Sequence, residues 1–176
     1  MTQTGGFSSL MLTGVALAVG LLVYAVFGVG SVALAVIDAR TKRLPNRIVF
    51  PLYGIGLAGF GLITALLHNG TAVNHLITAL ASAAVLFGLF YLLAMFGPMG
   101  YGDVKLAGVI GLYLGWPGLP VVFTGMVLGT FSAALVSLIV VATRSARHQT
   151  WRHLEVAYGP YLLFGAWAAL LLNLLY

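Results

Sequence analysis

The longest apolar stretch of the chain, residues 7–37, reads FSSLMLTGVALAVGLLVYAVFGVGSVALAVI and contains no charged side chain. A helix crosses the hydrocarbon core of a bilayer with about 20 apolar residues, so this stretch exceeds one crossing. We expect its helix to tilt, to extend beyond the lipid or to bend near Gly28 and Gly30. It lacks the basic flank and cleavage site of a signal peptide, so we interpret it as a retained membrane helix.

The composition of the whole chain also indicates a membrane protein. Of the 176 residues, 61% are hydrophobic and 6% are charged, whereas soluble domains carry about 25% charged residues. An ordinary water-soluble enzyme is therefore excluded. The chain has no cysteine, which excludes a thiolate metal site and a cysteine nucleophile. The net charge of +5 comes without a long basic run or interleaved aromatic residues, so we expect no nucleic-acid partner.

Five further apolar stretches follow the first one. Together they predict an all-α, polytopic membrane protein of about six transmembrane helices, organised as a single integral-membrane domain over residues 1–176 with no separate soluble domain. All eight basic residues lie in the first, third and fifth connections, so the positive-inside rule places these connections in the cytoplasm and both termini outside. The five further predicted spans are residues 47–67, 73–96, 104–115, 119–142 and 156–175.

Two of the predicted spans carry small residues at a spacing of four. Such stripes let helix backbones approach closely in lipid. We expect both stripes to pack within the chain, with a dimer face as the alternative. One stripe consists of Gly54, Ala58, Gly61 and Ala65, and the other of Gly125, Gly129, Ala133 and Ser137.

Acidic residues are rare in this sequence. The three present are Asp38, Asp103 and Glu155. A carboxylate at the edge of an apolar membrane segment is costly, which makes function the first hypothesis. Each of the two aspartates also has a structural alternative. Asp38 could pair with Arg40 or Lys42, and Asp103 could be the N-cap of the fourth span.

The fourth predicted span, residues 104–115, is short. At helical rise it covers about 18 Å, against a hydrocarbon core of about 30 Å. If Trp116 marks the outer interface, Asp103 lies below the membrane surface. We expect residues 97–102 to be irregular, which is tolerated at membrane depth only where backbone is buried in protein or lines a wet cavity. The sequence therefore predicts a wet cavity that contains a carboxylate.

The predicted topology places Asp38 and Asp103 on the same side of the membrane. A helix C-terminus disfavours an anion at Asp38, whereas a helix N-terminus favours one at Asp103. Two carboxyl groups in such different environments can share one proton, with one acting as general base toward water and the other as general acid. Aspartic proteases use this arrangement. Which aspartate is the acid stays open, because a coupled pair titrates as a unit.

Three motifs occur in order along the chain. They are DARTKRLPN at residues 38–46, GYGDVK at residues 100–105 and YGPY at residues 158–161. Together they resemble the motifs of type IV prepilin peptidases, a family of GxGD-type membrane aspartic proteases. The resemblance covers most of the chain after about residue 25.

The resemblance implies an aspartic endopeptidase of the cytoplasmic membrane, with its active site facing the cytoplasm, that removes the leader of prepilin-like or pseudopilin substrates. It implies Asp38 and Asp103 as the catalytic pair and leaves the substrate-binding residues unassigned. Glycines would let the backbone turn beside the cleavage site. Lys105 would stabilise the acid pair or extend to the interface. The implied active-site loop and motif residues are Gly100, Gly102, Lys105, Pro45 and Asn46.

Longer members of that family carry an additional N-terminal cytoplasmic region, often with paired cysteines, which is associated with methylation of the new pilin N-terminus. We find neither this region nor any cysteine in the sequence, so the resemblance is to the short, peptidase-only form. We therefore expect no methyltransferase activity, no S-adenosylmethionine, no metal and no other cofactor. The expected partners are the prepilin or pseudopilin substrate and the lipid bilayer. The oligomeric state stays open.

Two other functions are compatible with part of the sequence. A small proton-coupled transporter or channel can also hold two membrane carboxylates, but such folds often show interrupted helices in corresponding halves, and here one short span is evident. A GxGD protease that cuts other transmembrane substrates keeps the chemistry and changes the substrate. The spacing from Asp38 to Asn46 favours the prepilin type.

Overall fold

The computed structural model describes residues 4–97, 100–146 and 157–176. Within these ranges the chain forms six α-helices and no strand, which confirms the predicted all-α class. The helices are α1 (Thr4–Thr41), α2 (Asn46–Leu67), α3 (Gly70–Phe96), α4 (Tyr101–Gly115), α5 (Leu119–Ala146) and α6 (Gly159–Leu175).

Four of the described helices are long and apolar enough to cross a membrane. They are α2, α3 and the segments Leu10–Thr41 of α1 and Leu119–Thr143 of α5. The other two are shorter, with 15 residues in α4 and 17 in α6. These helices indicate a multi-pass membrane protein, whereas the count of six crossings and the position of the termini stay predictions.

Helix α1 is continuous over its 38 residues. At helical rise this corresponds to about 57 Å, which exceeds one bilayer crossing, and the helix is not interrupted at Gly28 or Gly30. Both glycines are packing positions. A Cβ on Gly28 would lie 3.3 Å from the ring of Trp167, and one on Gly30 would lie 2.8 Å from a methyl group of Leu52.

Two helices begin at positions that differ from the predicted ones. The N-cap of α4 is Gly100, so Tyr101 and Gly102 belong to the first helical turn, and the prediction that residues 97–102 are irregular throughout is wrong for these two. Helix α6 begins at Gly159 with a proline in its first turn, a favourable helix start. The predicted start of that span, residue 156, lies outside the described residues, as does Glu155.

Helix α4 lies at the centre of the bundle. Every residue from Leu106 to Gly115 is buried, and α4 contacts α2, α3, α5 and α6. A helix surrounded by protein need not match the thickness of the lipid, which explains how a 15-residue helix is accommodated. Its packing against α3 is close, because a Cβ on Gly111 would lie 2.5 Å from the carbonyl oxygen of Ser82.

Aromatic side chains from several helices meet around Tyr113 of α4. The ring of Phe27 stacks on Tyr113 at 4.2 Å, and that of Phe60 approaches its edge at 5.7 Å between centroids. Trp167 of α6 stacks on Phe27 at 5.4 Å. This aromatic cluster joins α1, α2, α4 and α6 in the buried interior.

The stripe of small residues on α5 packs inside the chain, as predicted. A Cβ on Gly129 would lie 3.2 Å from the backbone of Leu162 in α6, and a Cβ on Gly165 of α6 would collide with the backbone of Gly125 and Gly129. Ala133 is buried as well. Helices α5 and α6 are therefore in close backbone contact.

The stripe on α2 contradicts the same prediction. A Cβ on Gly54 or Gly61 would meet nothing within 4 Å, and Ala58 is exposed. The close contacts of α2 are made instead by Gly56, which faces Leu112 and Tyr113, and by Gly59, which faces Val23. Small-residue spacing identifies a face of a helix, but which face gains a partner depends on the neighbouring helices.

Candidate active site

Asp38 lies in the last turn of α1 and is 4% exposed. Its Oδ2 atom accepts a hydrogen bond of 3.1 Å from the backbone N–H of Gly159, the first residue of α6. The first N–H groups of a helix have no partner within the helix, and one of them here binds this carboxyl group. The start of α6 therefore holds the Asp38 side chain in place.

Gly159 approaches Asp38 so closely that a larger residue would not fit. A Cβ on Gly159 would lie 2.7 Å from Asp38 Oδ2 and 3.4 Å from a methyl group of Leu106. Gly159 was not among the predicted site residues, although it lies in the YGPY motif. Its position directly before a proline that starts a helix was the available signal.

Asp103 lies in the first turn of α4 and is half-buried. Its backbone N–H donates to the carbonyl oxygen of Gly100 at 3.0 Å. Gly100 is the N-cap residue, so the alternative that Asp103 caps the helix is wrong. A Cβ on Gly100 would lie 3.6 Å from Asp103 Oδ2, an ordinary contact distance.

Contacts made by Gly159 connect the regions of the two aspartates. The aspartates come from the end of α1 and the beginning of α4. Gly159 at the beginning of α6 binds Asp38, and a Cβ on it would lie 3.4 Å from Leu106, which follows Asp103 by one turn. Three helix ends therefore meet at one end of the bundle. Asp38 and Asp103 lie on two of these three helix ends.

The predicted motif around Pro45 and Asn46 starts the second helix. Pro45 is the N-cap residue of α2, and its carbonyl oxygen accepts hydrogen bonds from Ile48 and Val49 at 3.0 and 3.3 Å. Leu44, which comes directly before it, packs on the GxGD motif, since a Cβ on Gly102 would lie 3.2 Å from Leu44 Cβ. The two motifs are in direct contact.

The side chain of Lys105 is directed toward α2. Its Nζ atom donates to Asn46 Oδ1 at 2.9 Å and lies 5.5 Å from the centroid of the Phe50 ring. The described contacts of its ammonium group are with the first turn of α2. The two alternatives expected from the sequence, contact with the acid pair or with the membrane interface, stay predictions.

Three tyrosines that sequence analysis overlooked fix α4 to its neighbours. The hydroxyl of Tyr53 donates to the carbonyl oxygen of Lys105 at 2.9 Å, and that of Tyr113 donates back to the carbonyl oxygen of Leu52 at 2.9 Å. Tyr24 of α1 donates to the carbonyl oxygen of Tyr113 at 2.8 Å. Hydrogen bonds between membrane helices stabilise their association, so these contacts hold α4, and with it Asp103, in register.

An apolar groove runs between α3 and α5 and reaches the start of α6. It is lined by residues that include Phe90, Phe123 and Met126, and Tyr158 lies in its wall. Tyr158 precedes Gly159, the residue that binds Asp38. The candidate site therefore adjoins an apolar surface.

Residues 25–175 match the model of the Type IV leader peptidase family. The chain belongs to this family. The match confirms the resemblance expected from the three motifs and covers the same part of the chain. The type IV leader peptidase family is a family of proteases, which agrees with the predicted enzyme class.

Curated relatives that share this similarity are prepilin leader peptidase/N-methyltransferases. The protein of Pseudomonas aeruginosa is 33% identical over 144 residues, 81% of this chain and 46% of the relative. That of Aeromonas hydrophila is 36% identical over 143 residues, 80% of this chain and 46% of the relative. That of Dickeya chrysanthemi is 33% identical over 162 residues, 92% of this chain and 53% of the relative. The chain thus spans about half the length of these relatives. No solved structure matches it.

Proposed function

We propose that the chain is a membrane aspartic endopeptidase that removes the leader of prepilin-like or pseudopilin proteins, with Asp38 and Asp103 as its catalytic pair. The observation that carries the proposal is that Gly159 at the start of α6 binds Asp38 at the end of α1 and lies beside Leu106, one turn after Asp103 in α4, so the two helix ends that bear these carboxyl groups meet. Membership of the type IV leader peptidase family and the names of its curated relatives support the substrate class.

The chemistry follows from two carboxyl groups that share one proton. The ionised group takes a proton from water while the water oxygen attacks the scissile carbonyl carbon. The protonated group gives its proton to the carbonyl oxygen, so that a tetrahedral diol forms. When the C–N bond breaks, the leaving nitrogen takes a proton from the protonated group, and a diol hydroxyl gives its proton to the ionised group. The products are a new carboxyl group and a new amine, and the pair again holds one proton.

The side of cleavage is proposed from the basic residues beside the site. Arg40 in the last turn of α1 and Lys42 and Arg43 in the connection to α2 follow Asp38, and all three are exposed. Basic connections of membrane proteins remain on the cytoplasmic side. The proposal therefore places the aspartate pair at the cytoplasmic face of the cell membrane.

The test uses the purified chain in proteoliposomes with a prepilin-like peptide that has a basic leader followed by an apolar helix. We expect Asp38→Asn and Asp103→Asn each to lower the cleavage rate about 10³-fold or more, because each removes one member of the proton-transferring pair. Arg43→Gln changes an exposed charge in the connection after Asp38 and is the matched control.

Normal cleavage by either asparagine variant would refute the aspartate pair. Mass spectrometry of the products locates the cut. A cut within the apolar helix, and not at the end of the leader, would favour a protease for other transmembrane substrates. Proton flux into the vesicles without any cleavage would favour the transporter.

A further inference from the structure

Lys105 and Asn46 form a contact that joins two motifs far apart in the sequence. The hydrogen bond from Lys105 Nζ to Asn46 Oδ1 is 2.9 Å long. Asn46 is the first residue of α2, and Phe50, under the same ammonium group, lies one turn later. The Lys105 side chain therefore rests on the first turn of α2.

A second contact joins the same two segments. Leu44 packs on Gly102, where a Cβ would come within 3.2 Å of Leu44 Cβ and 3.3 Å of its Cδ1. In sequence, Gly102 and Lys105 lie on either side of Asp103. Residues 44–46 thus hold the turn that carries Asp103 at two points, and the same connection leads directly from Asp38 at the end of α1.

An electrostatic effect of Lys105 on the aspartates fits these contacts poorly. Residues two apart on a helix do not face each other, so the Lys105 side chain and the Asp103 carboxyl leave α4 in different directions. Its hydrogen-bond partner, Asn46, supplies an oxygen without a negative charge. The contact joins two backbone segments and adds no charge to the pair.

We propose that the hydrogen bond between Lys105 and Asn46 is a positioning contact, which fixes the α1–α2 connection against the first turn of α4 and so sets the separation of Asp38 and Asp103. The described contacts of the Lys105 ammonium group are with Asn46 and Phe50, and none of them is with a carboxyl group of the pair. The catalytic consequence rests on the proposed peptidase function, whereas the geometric consequence does not.

The kinetic test compares Lys105→Met, Asn46→Ala and the double variant with the parent in the leader-cleavage assay. We expect each single variant to lower kcat about tenfold with KM changed less than about twofold, because the aspartates lose alignment while substrate binding remains. The double variant should be no slower than either single variant, since all three lack the same contact. Asn46→Asp keeps the acceptor oxygen, so this variant should retain most of the activity that Asn46→Ala loses.

Arg47→Met is the matched control, because it removes an exposed cation on the same turn of α2 and should leave kcat unchanged. Losses that multiply in the double variant would overturn the positioning contact. A shift in the pH profile of kcat in Lys105→Met would also overturn it, because that shift indicates a direct charge effect on the acid pair.

A cross-linking test measures the geometry without any peptidase activity. The chain has no cysteine, so Asp38→Cys combined with Asp103→Cys gives a single thiol pair that a short bifunctional thiol reagent can bridge. We expect efficient cross-linking in this background and a fall of about threefold or more when Lys105→Met is added, with Arg47→Met again as control.

Cross-linking that is absent in the thiol pair, or unchanged by Lys105→Met, would overturn the inference. The cross-linking yield tests whether the positioning contact sets the separation of residues 38 and 103, even if the parent chain cleaves no leader peptide. Failure of the proposed function would appear in the cleavage assay alone. The two failures are therefore distinguishable.

Discussion

The two aspartates of the candidate site are held in different ways. Asp38 is 4% exposed and its carboxyl group is bound by the N–H of Gly159, a residue far away in the sequence. Asp103 is half-buried, and its N–H bonds to Gly100, three residues before it. Asp38 therefore depends on the docking of α6, whereas Asp103 is placed by the first turn of its own helix and by the contacts of α4.

The support of Asp38 extends beyond α6 itself. Gly165 of α6 lies so close to the backbone of Gly125 and Gly129 in α5 that a Cβ would collide with both. This contact holds α6 against α5. The comparison predicts that substitutions on the α6 side are more harmful than those around Asp103.

The largest difference is expected between two glycines that adjoin the two carboxyl groups. Gly159→Ala places a Cβ 2.7 Å from Asp38 Oδ2, which forces the carboxyl or the start of α6 to move, and misplacement of about 1 Å can cost 10²-fold in rate. We expect kcat/KM for leader cleavage to fall about 10- to 100-fold. Gly100→Ala places its Cβ at 3.6 Å from Asp103 Oδ2, and the fall should stay below about threefold.

Equal losses in the two alanine variants would contradict the comparison, because they would show that the two carboxyl groups respond equally to a Cβ added at the neighbouring glycine. Thermal unfolding of both variants separates a local displacement from a general loss of stability. A Gly159→Ala protein with parent-like unfolding and lowered kcat/KM is the expected result.

An intermediate effect is expected at Gly102. A Cβ at this position would lie 3.2 Å from Leu44 Cβ and 3.3 Å from its Cδ1, so the connection from Asp38 must shift by a few tenths of an ångström. We expect Gly102→Ala to lower kcat about fivefold. Adding Leu44→Ala removes the Cδ1 contact, so the double variant should regain part of the lost rate. A double variant that is slower than Gly102→Ala would contradict the contact.

The smallest effect is expected at Gly61, which lies on the α2 stripe without a partner. A Cβ there meets nothing within 4 Å, and glycine inside a helix costs about 0.5–1 kcal/mol relative to alanine. In detergent we expect Gly61→Ala to leave kcat unchanged and to raise the thermal unfolding midpoint slightly. A marked loss of activity would show that this face packs against a second copy of the chain or another protein.

Local pattern was sufficient for much of the fold and part of the site. The apolar lengths predicted six helices, and the start of α2 at Asn46 agreed with its motif. The scarcity of acidic residues and the short fourth span pointed to Asp38 and Asp103, and both lie in the motifs. The start of α4 was predicted too late, because the glycines at 100 and 102 suggested irregular backbone, although Gly102 is helical.

The sequence by itself determined the all-α class, the membrane character and the identity of the two acidic residues, because hydrophobic length and the cost of a charge in lipid are local properties. Only the tertiary structure decided which glycine stripe is buried, that Gly159 binds Asp38 and that Lys105 contacts Asn46. These contacts join residues from different helices. Their formation depends on how α2, α4 and α6 are rotated about their axes in the bundle, and helix packing sets that rotation.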